Sequence, residues 1–139
     1  MDDDEAIRSL IGDHFEAMRW EPGTGPDWGR FRQDFVPDAQ LFGAARPVQA
    51  RTVDGFIDRM ETVARANLHS FEEHTQGMKI LRFGNVAVVL ALSEMLENGS
   101  TVNHDLSGYL LVKSQGQWRI AAHAWDQAGQ GKPVPDDLR

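Results

Sequence analysis

The sequence contains no cysteine. That excludes disulfides, thiolate metal sites and a cysteine nucleophile, and makes the reducing cytoplasm a suitable compartment. Positive charge is also scarce: 14 Lys and Arg stand against 21 Asp and Glu, for a net charge of −7. No basic cluster larger than a scattered pair occurs, so nucleic acid, which needs a positive surface, is not an expected partner. Long apolar runs are missing too. The stretch from Val86 to Leu92 falls far short of the roughly 20 residues that span a bilayer. The acidic opening Met1-Asp2-Asp3-Asp4-Glu5 lacks the positive start of a signal peptide. The expectation is a cytoplasmic chain with no membrane partner.

The chain's 139 residues suffice for one domain over 1–139, since a domain of this size removes roughly 68–70% of its unfolded surface from water. From Ala6 to Met18, Ile7, Leu10, Ile11, Phe15 and Met18 recur at helical spacing behind an acidic cluster suited to a helix N-terminus. The spacing predicts a first helix over 3–20. Trp28, Phe31 and Phe35 predict a second over 27–35, stopped before Pro37. Asp38 to Ala44 suits a first strand. Thr52 offers an N-cap to a third helix over 53–68 that carries Phe56, Ile57, Met60 and Val63 on one side. From about Phe71 the period becomes strand-like. Turn signals at Phe83-Gly84-Asn85, Asn98-Gly99 and Ser114-Gln115-Gly116-Gln117 predict four long antiparallel strands. Helices first and strands afterwards is an α+β pattern.

Asn98-Gly99 suits a two-residue turn with φ > 0 at both centres. With Glu97 and Ser100 flanking it, Met95 faces Val102, Ser93 faces His104, Ala91 faces Leu106 and Val89 faces Gly108. The opposite face then carries Val88, Leu90, Leu92 and Glu94 with Asp105, Ser107, Tyr109 and Leu111. Both faces are apolar far from the turn, and three helices cover only one. A second copy covering Leu90, Leu92, Tyr109 and Leu111 makes a homodimer the expected assembly.

The order of elements, with FVPDAQLFG at 35–43, FGNVAVVLALSEML at 83–96, LSGYLLVKSQGQWRIAAHAWD at 106–126 and a closing PVP, resembles the nuclear transport factor 2-like superfamily. The Gly-x-Trp-x-Ile turn and terminal Trp-Asp look closest to its SnoaL-like branch. The resemblance implies a cone-shaped barrel, three N-terminal helices packed on a curved antiparallel sheet, commonly a homodimer, with a ligand cavity between helices and sheet. It places Ser93, His104, Leu106 and Gly108 in that cavity with His123 and Trp125 of the last strand, and Met18 and Phe35 on the helical side. Members similar to ketosteroid isomerase carry a catalytic Asp where this chain has Gly43. Their oxyanion-binding acid falls near Gly108 and their helix-one tyrosine at His14, so that activity is not carried over.

His14 lies within the apolar stripe of helix one and reads either as a core histidine bonded to a backbone carbonyl or as a ligand-facing base. His123 shares a face with Trp125, whose flat ring suits a ring-shaped ligand or an ordinary core. His14 and His123 are the candidate catalytic residues. His104 opposite Ser93 reads as a mutually satisfied polar pair or as a base and nucleophile, although no Gly-x-Ser-x-Gly elbow accompanies it. His14, His104 and His123 lack the short spacings of a metal site, so neither metal nor cofactor is expected. Asp105 and Glu94 point away from the cavity in this register. The functional expectation is a protein that binds a small apolar or aromatic molecule. The alternatives are a lyase, isomerase or cyclase with a histidine acid–base, and a non-catalytic dimerisation or interaction module.

Overall fold

The computed structural model describes residues 2–129 and 131–139. Helix α1 (Asp3–His14) is capped by Asp2, whose carboxylate accepts from the Glu5 amide at 2.8 Å, and Asp3, Asp4 and Glu5 complement the dipole of its first turn. The expected helix over 3–20 stops being α-helical at His14 and tightens into a 3₁₀ turn, Phe15–Met18. Its next residues are drawn into extended pairing: Trp20 and Phe71 exchange backbone hydrogen bonds, and the Trp20 indole donates to the Leu68 carbonyl at 2.9 Å. Helix α2 (Trp28–Gln33) is capped by Asp27, and strand β1 (Phe35–Phe42) follows at once. Phe35 thus belongs to the strand and not to the second helix, in keeping with the extended backbone that Pro37 imposes on its predecessor. A two-residue strand β2 (Ala50–Arg51) precedes α3 (Val53–Ala66), where the Thr52 hydroxyl accepts from the Gly55 amide as its sequence position predicts.

Four long strands complete the chain: β3 (Phe71–Phe83), β4 (Val86–Glu97), β5 (Thr101–Ser114) and β6 (Gln117–Gln127). They run antiparallel, and the sheet order is β2-β1-β6-β5-β4-β3. The sheet is mixed, because β1 lies parallel to β6, and it is curved and open, with the helices on its concave side. The core gathers Ile7, Ile11 and Phe15 of the helical layer against Val89, Tyr109, Leu111 and Ile120 of the sheet.

The β4–β5 register differs by one residue from the expected one. Glu97 pairs with Thr101, Ser93 with Asp105 and Val89 with Tyr109. Asn98 and Gly99 do take positive φ, at 52° and 74°, but the loop spans three residues, not two. The cause is tertiary. The Asn98 side chain accepts from the His69 and Ser70 amides and donates to the Asn67 carbonyl, while its own amide donates to the Ser70 carbonyl. The α3–β3 connection thereby holds the turn. A one-residue slip turns every β5 side chain to the other face. His104, Leu106 and Gly108 therefore lie outside, and Asp105, Ser107, Tyr109 and Leu111 lie inside.

A bulge at Ala121 makes a second change of parity. Leu111 pairs with Ile120 but Leu110 with Ala122, so Trp118 and Ile120 face the core and so do His123 and Trp125 further along. Strict alternation would have put these two pairs on opposite faces. On the convex face, the 3₁₀ turn Asp136–Leu138 returns to β3, where Leu138 is fully buried against Gly77 and Asp137 pairs with Lys79.

Candidate functional site

Between α3, the 3₁₀ turn after α1 and the concave sheet lies a cavity of about 230 Å³. That is below the roughly 300–1,000 Å³ of pockets for drug-sized molecules, so it suits a compact ligand. Phe15 and Met18 wall it on one side, Phe56, Met60 and Val63 of α3 on another, and Phe71, Met95 and Trp125 on the sheet. Its polar lining comes from four strands: Glu73, Glu97, Asp105 with Ser107, and His123.

Cross-strand pairing sets this geometry. Tyr109 pairs with His123 and Ser107 with Trp125. The Tyr109 ring stacks on the imidazole at 4.3 Å with an interplanar angle of 14°. His123 Nε2 and Ser107 Oγ form a hydrogen-bonded pair at 2.9 Å, which leaves Nδ1 without a partner. The Trp125 ring lies 4.9 Å from His123 and meets Phe56 edge-on at 5.7 Å.

Burial dominates the proton affinities here. It pushes the Glu73 carboxyl up to about 8, with Asp105 as the second cause. It pushes Asp105 up to about 6, reinforced by Asp126 and Glu97 and opposed by His104. Burial, with His14 nearby, holds His123 well below the usual imidazole range, and burial lifts the Tyr109 phenol far above its ordinary value. At neutral pH Glu73 carries its proton, His123 is neutral and Asp105 is mostly ionised. Buried Ser93 Oγ, Tyr109 OH, His14 Nε2 and His123 Nδ1 all lack partners. Each such atom costs about 1–3 kcal/mol if nothing satisfies it. Ser93 and Tyr109 lie within reach of Glu73 and Ser107, and of the four residues His123 alone lines the cavity.

Of the residues named from the sequence, Met18, His123 and Trp125 line the cavity. His14, Phe35 and Ser93 are buried on the same side but set back from it. His14 donates from Nδ1 to Asp34 at 2.7 Å, stacks on Phe31 at 4.4 Å and meets Phe15 and Phe35 edge-on, so Phe15 stands between it and His123. Its partner is a carboxylate, not the backbone carbonyl expected of a core histidine. His104, Leu106 and Gly108 are corrected to the convex face, where His104 Nε2 lies 3.3 Å from Glu94. The Ser93–His104 pair and a convergence of three histidines both disappear with that change.

The sequence pattern does not single out Glu73 or Glu97 as cavity residues, and the two-residue turn places Asp105, Ser107 and Tyr109 on the outer face. One signal for Glu73 was available: Glu72 and Glu73 are adjacent in a strand, so one of them had to face inward. Asp105 was lost to the register, which no local signal corrects.

No protein-family model matches the sequence, and no curated protein matches it. Solved structures do. Hexachlorocyclohexane dehydrochlorinase LinA-type3 from Novosphingobium barchaimii LL02 superposes with a TM-score of 0.72 at 15% identity, covering 95% of this chain and 94% of its own. An NTF2-like protein of unknown function from Pseudomonas putida KT2440 gives 0.70 at 14% identity, covering 100% of this chain and 99% of its own. Another from Shewanella baltica OS155 gives 0.66 at 18%, covering 91% and 94%. At these identities the likeness is one of fold. With its three helices on a curved six-stranded sheet, the chain has the nuclear transport factor 2-like fold.

Proposed function

We propose that this protein is an acid–base enzyme, of the lyase or isomerase class, acting on a compact ring-bearing molecule in the cavity. The observation that carries the reading is the placement of two carboxyl groups, Glu73 and Asp105, beside His123 in one apolar enclosure. Their environments hold one protonated and the other largely ionised at pH 7, so a proton donor and an acceptor face the same guest. Neutral His123, fixed by Ser107 through Nε2, offers Nδ1 as a further hydrogen-bonding position. Trp125 and Phe56 supply apolar walls for a ring. In the expected register no carboxylate faces the cavity, which favours binding slightly over catalysis; in the observed register Asp105 faces it and that ground is removed. A dehydrochlorinase among the fold neighbours supports elimination chemistry by analogy alone.

The test is a panel of small cyclic ketones, alcohols, halides and amines, followed by NMR for elimination or for deuterium uptake from heavy water. Turnover that Asp105→Asn or Glu73→Gln reduces by about 10²-fold or more supports the role. Saturable binding across the panel without turnover sinks the catalytic reading and leaves a binding protein.

We also propose a homodimer through the convex sheet face. The expected face is revised: Tyr109 and Leu111 are interior and Leu92 is buried, whereas Leu81 and Phe83 are 74% and 82% exposed beside Val86, Val88, Leu90 and Leu110. An apolar patch of this extent supports self-association. Sedimentation at micromolar concentration should give twice the 15.6 kDa chain mass, falling to the monomer in Leu110→Glu. A monomeric native chain refutes it.

A further inference from the structure

The polar lining of the cavity is one-sided. Glu73, Glu97 and Asp105 come from three different strands, and no lysine or arginine lines the cavity with them. Among the described residues, the lysines and arginines that form ion pairs do so with other carboxylates: Asp3, Asp4, Asp54, Glu61, Glu72, Asp126, Asp136 and Asp137. Glu97 receives only the Asn103 amide, at 2.8 Å. His123, more than nine-tenths buried, faces the same space with Nδ1 unpaired. The cavity therefore presents three carboxyl groups, with no lysine or arginine among them, between aromatic walls. Carboxylates with aromatic faces around an enclosed space are the chemistry that holds an organic cation.

We propose that the ligand of this cavity is a compact cyclic or aromatic ammonium compound, its cationic nitrogen seated among Glu73, Glu97 and Asp105 and its ring against Trp125 and Phe56. The proposal rests on reading the cavity as a ligand site and narrows the class of molecule it takes. An anionic ring compound meets like charge with nothing to neutralise it. A neutral one leaves the Asp105 carboxylate with no cation against it in the cavity.

Binding of a cation is coupled to a proton. Glu73 meets Asp105 and the Tyr109 phenol of β5 and the Ser93 hydroxyl of β4, with His123 of β6 lining the same cavity, and Asp105 in turn feels Glu97 of β4, Asp126 of β6 and, from the convex face, His104. His123 is neutral and adds no charge, while Asp105 opposes ionisation of Glu73. An ammonium group placed between them reverses that balance and favours the Glu73 carboxylate, so binding expels the proton into solvent. Affinity then rises with pH from 6 towards 8, whereas a neutral ring binds independently of pH over that range.

The experiment uses three matched probes on the full chain, benzylamine, benzyl alcohol and benzoate, followed by calorimetry in two buffers of different ionisation enthalpy. At pH 7.5 benzylamine should bind about tenfold or more tightly than benzyl alcohol, benzoate more weakly still, and only the amine should release a proton. Glu73→Gln should abolish that release and cost the amine about tenfold in affinity while leaving benzyl alcohol within about twofold. If Glu73→Gln does not fold, Asp105→Asn, on a less buried side chain, should lower amine affinity selectively. Equal affinity for amine and alcohol, preference for benzoate, or no saturable binding of any probe overturns the proposal. Alcohol binding that Trp125→Ala weakens, without preference for the amine, removes the cation and leaves the cavity as a site. Catalysis is judged separately, by turnover.

Discussion

Replacing Glu73 by glutamine removes a titrating proton from the cavity while nearly preserving the shape of the side chain. Burial, with Asp105, holds this carboxyl at about 8 against an ordinary 4.5. The folded state therefore keeps a proton that the unfolded chain has lost. The sign follows from linkage: for a raised value, the stabilising contribution is complete below about pH 4.5 and is lost as pH rises towards 8. The steepest slope is about 1.4 kcal/mol per pH unit, so the whole effect is bounded at about 5 kcal/mol. Asp105 shares the site and part of the proton affinity, which brings the expected effect to about 2–4 kcal/mol. Glutamine does not titrate. Urea unfolding followed by circular dichroism from pH 5 to pH 9 should thus show the variant gaining about 2–4 kcal/mol relative to the native protein, then a plateau above pH 8. The depressed His123 works in the opposite sense, losing stability as pH falls below 6.5, and it cancels because both proteins carry it. A difference between the two proteins that is independent of pH, or that runs the other way, refutes the burial of Glu73 as described.

Two further outcomes follow from the packing. A Cβ at Gly77 would stand 2.2 Å from the Leu138 carbonyl oxygen, so Gly77→Ala should cost about 1–3 kcal/mol in urea unfolding. The same substitution should cost little in a chain ending before Asp136, and an equal cost in both chains would show that the C-terminal turn is not its source. Asp34→Asn should destabilise by about 1–3 kcal/mol, because fully buried His14 loses its charged partner at 2.7 Å. Combined with His14→Phe, the losses should fall short of additivity by at least about 0.5 kcal/mol, and simple addition of the two refutes the pair.

Much of the architecture was legible in residue order alone. The apolar periods of α1 and α3, the caps at Asp2 and Thr52 and the turn signals that separate β3 to β6 are local properties, and local chemistry is enough to read them. His123 and Trp125 were legible as neighbours because two-residue spacing in a strand is a covalent fact. The face on which a strand's residues fall was not legible at two places, and both decide the site. Asn98 carries the signature of a two-residue turn, yet its side chain and amide bond to Asn67, His69 and Ser70, some thirty positions earlier, and the loop widens by one residue. That shift exchanges His104 and Leu106 for Asp105 and Ser107 inside the cavity. Ala121 is the extra residue opposite the Leu110–Leu111 step of β5, and so Ile120 and His123 both reach the interior. The sequence by itself determined which elements form and in what order, since those depend on neighbours along the chain. Only the tertiary structure decided which side chains meet in the cavity, because strand parity depends on loop length and bulges that distant contacts select.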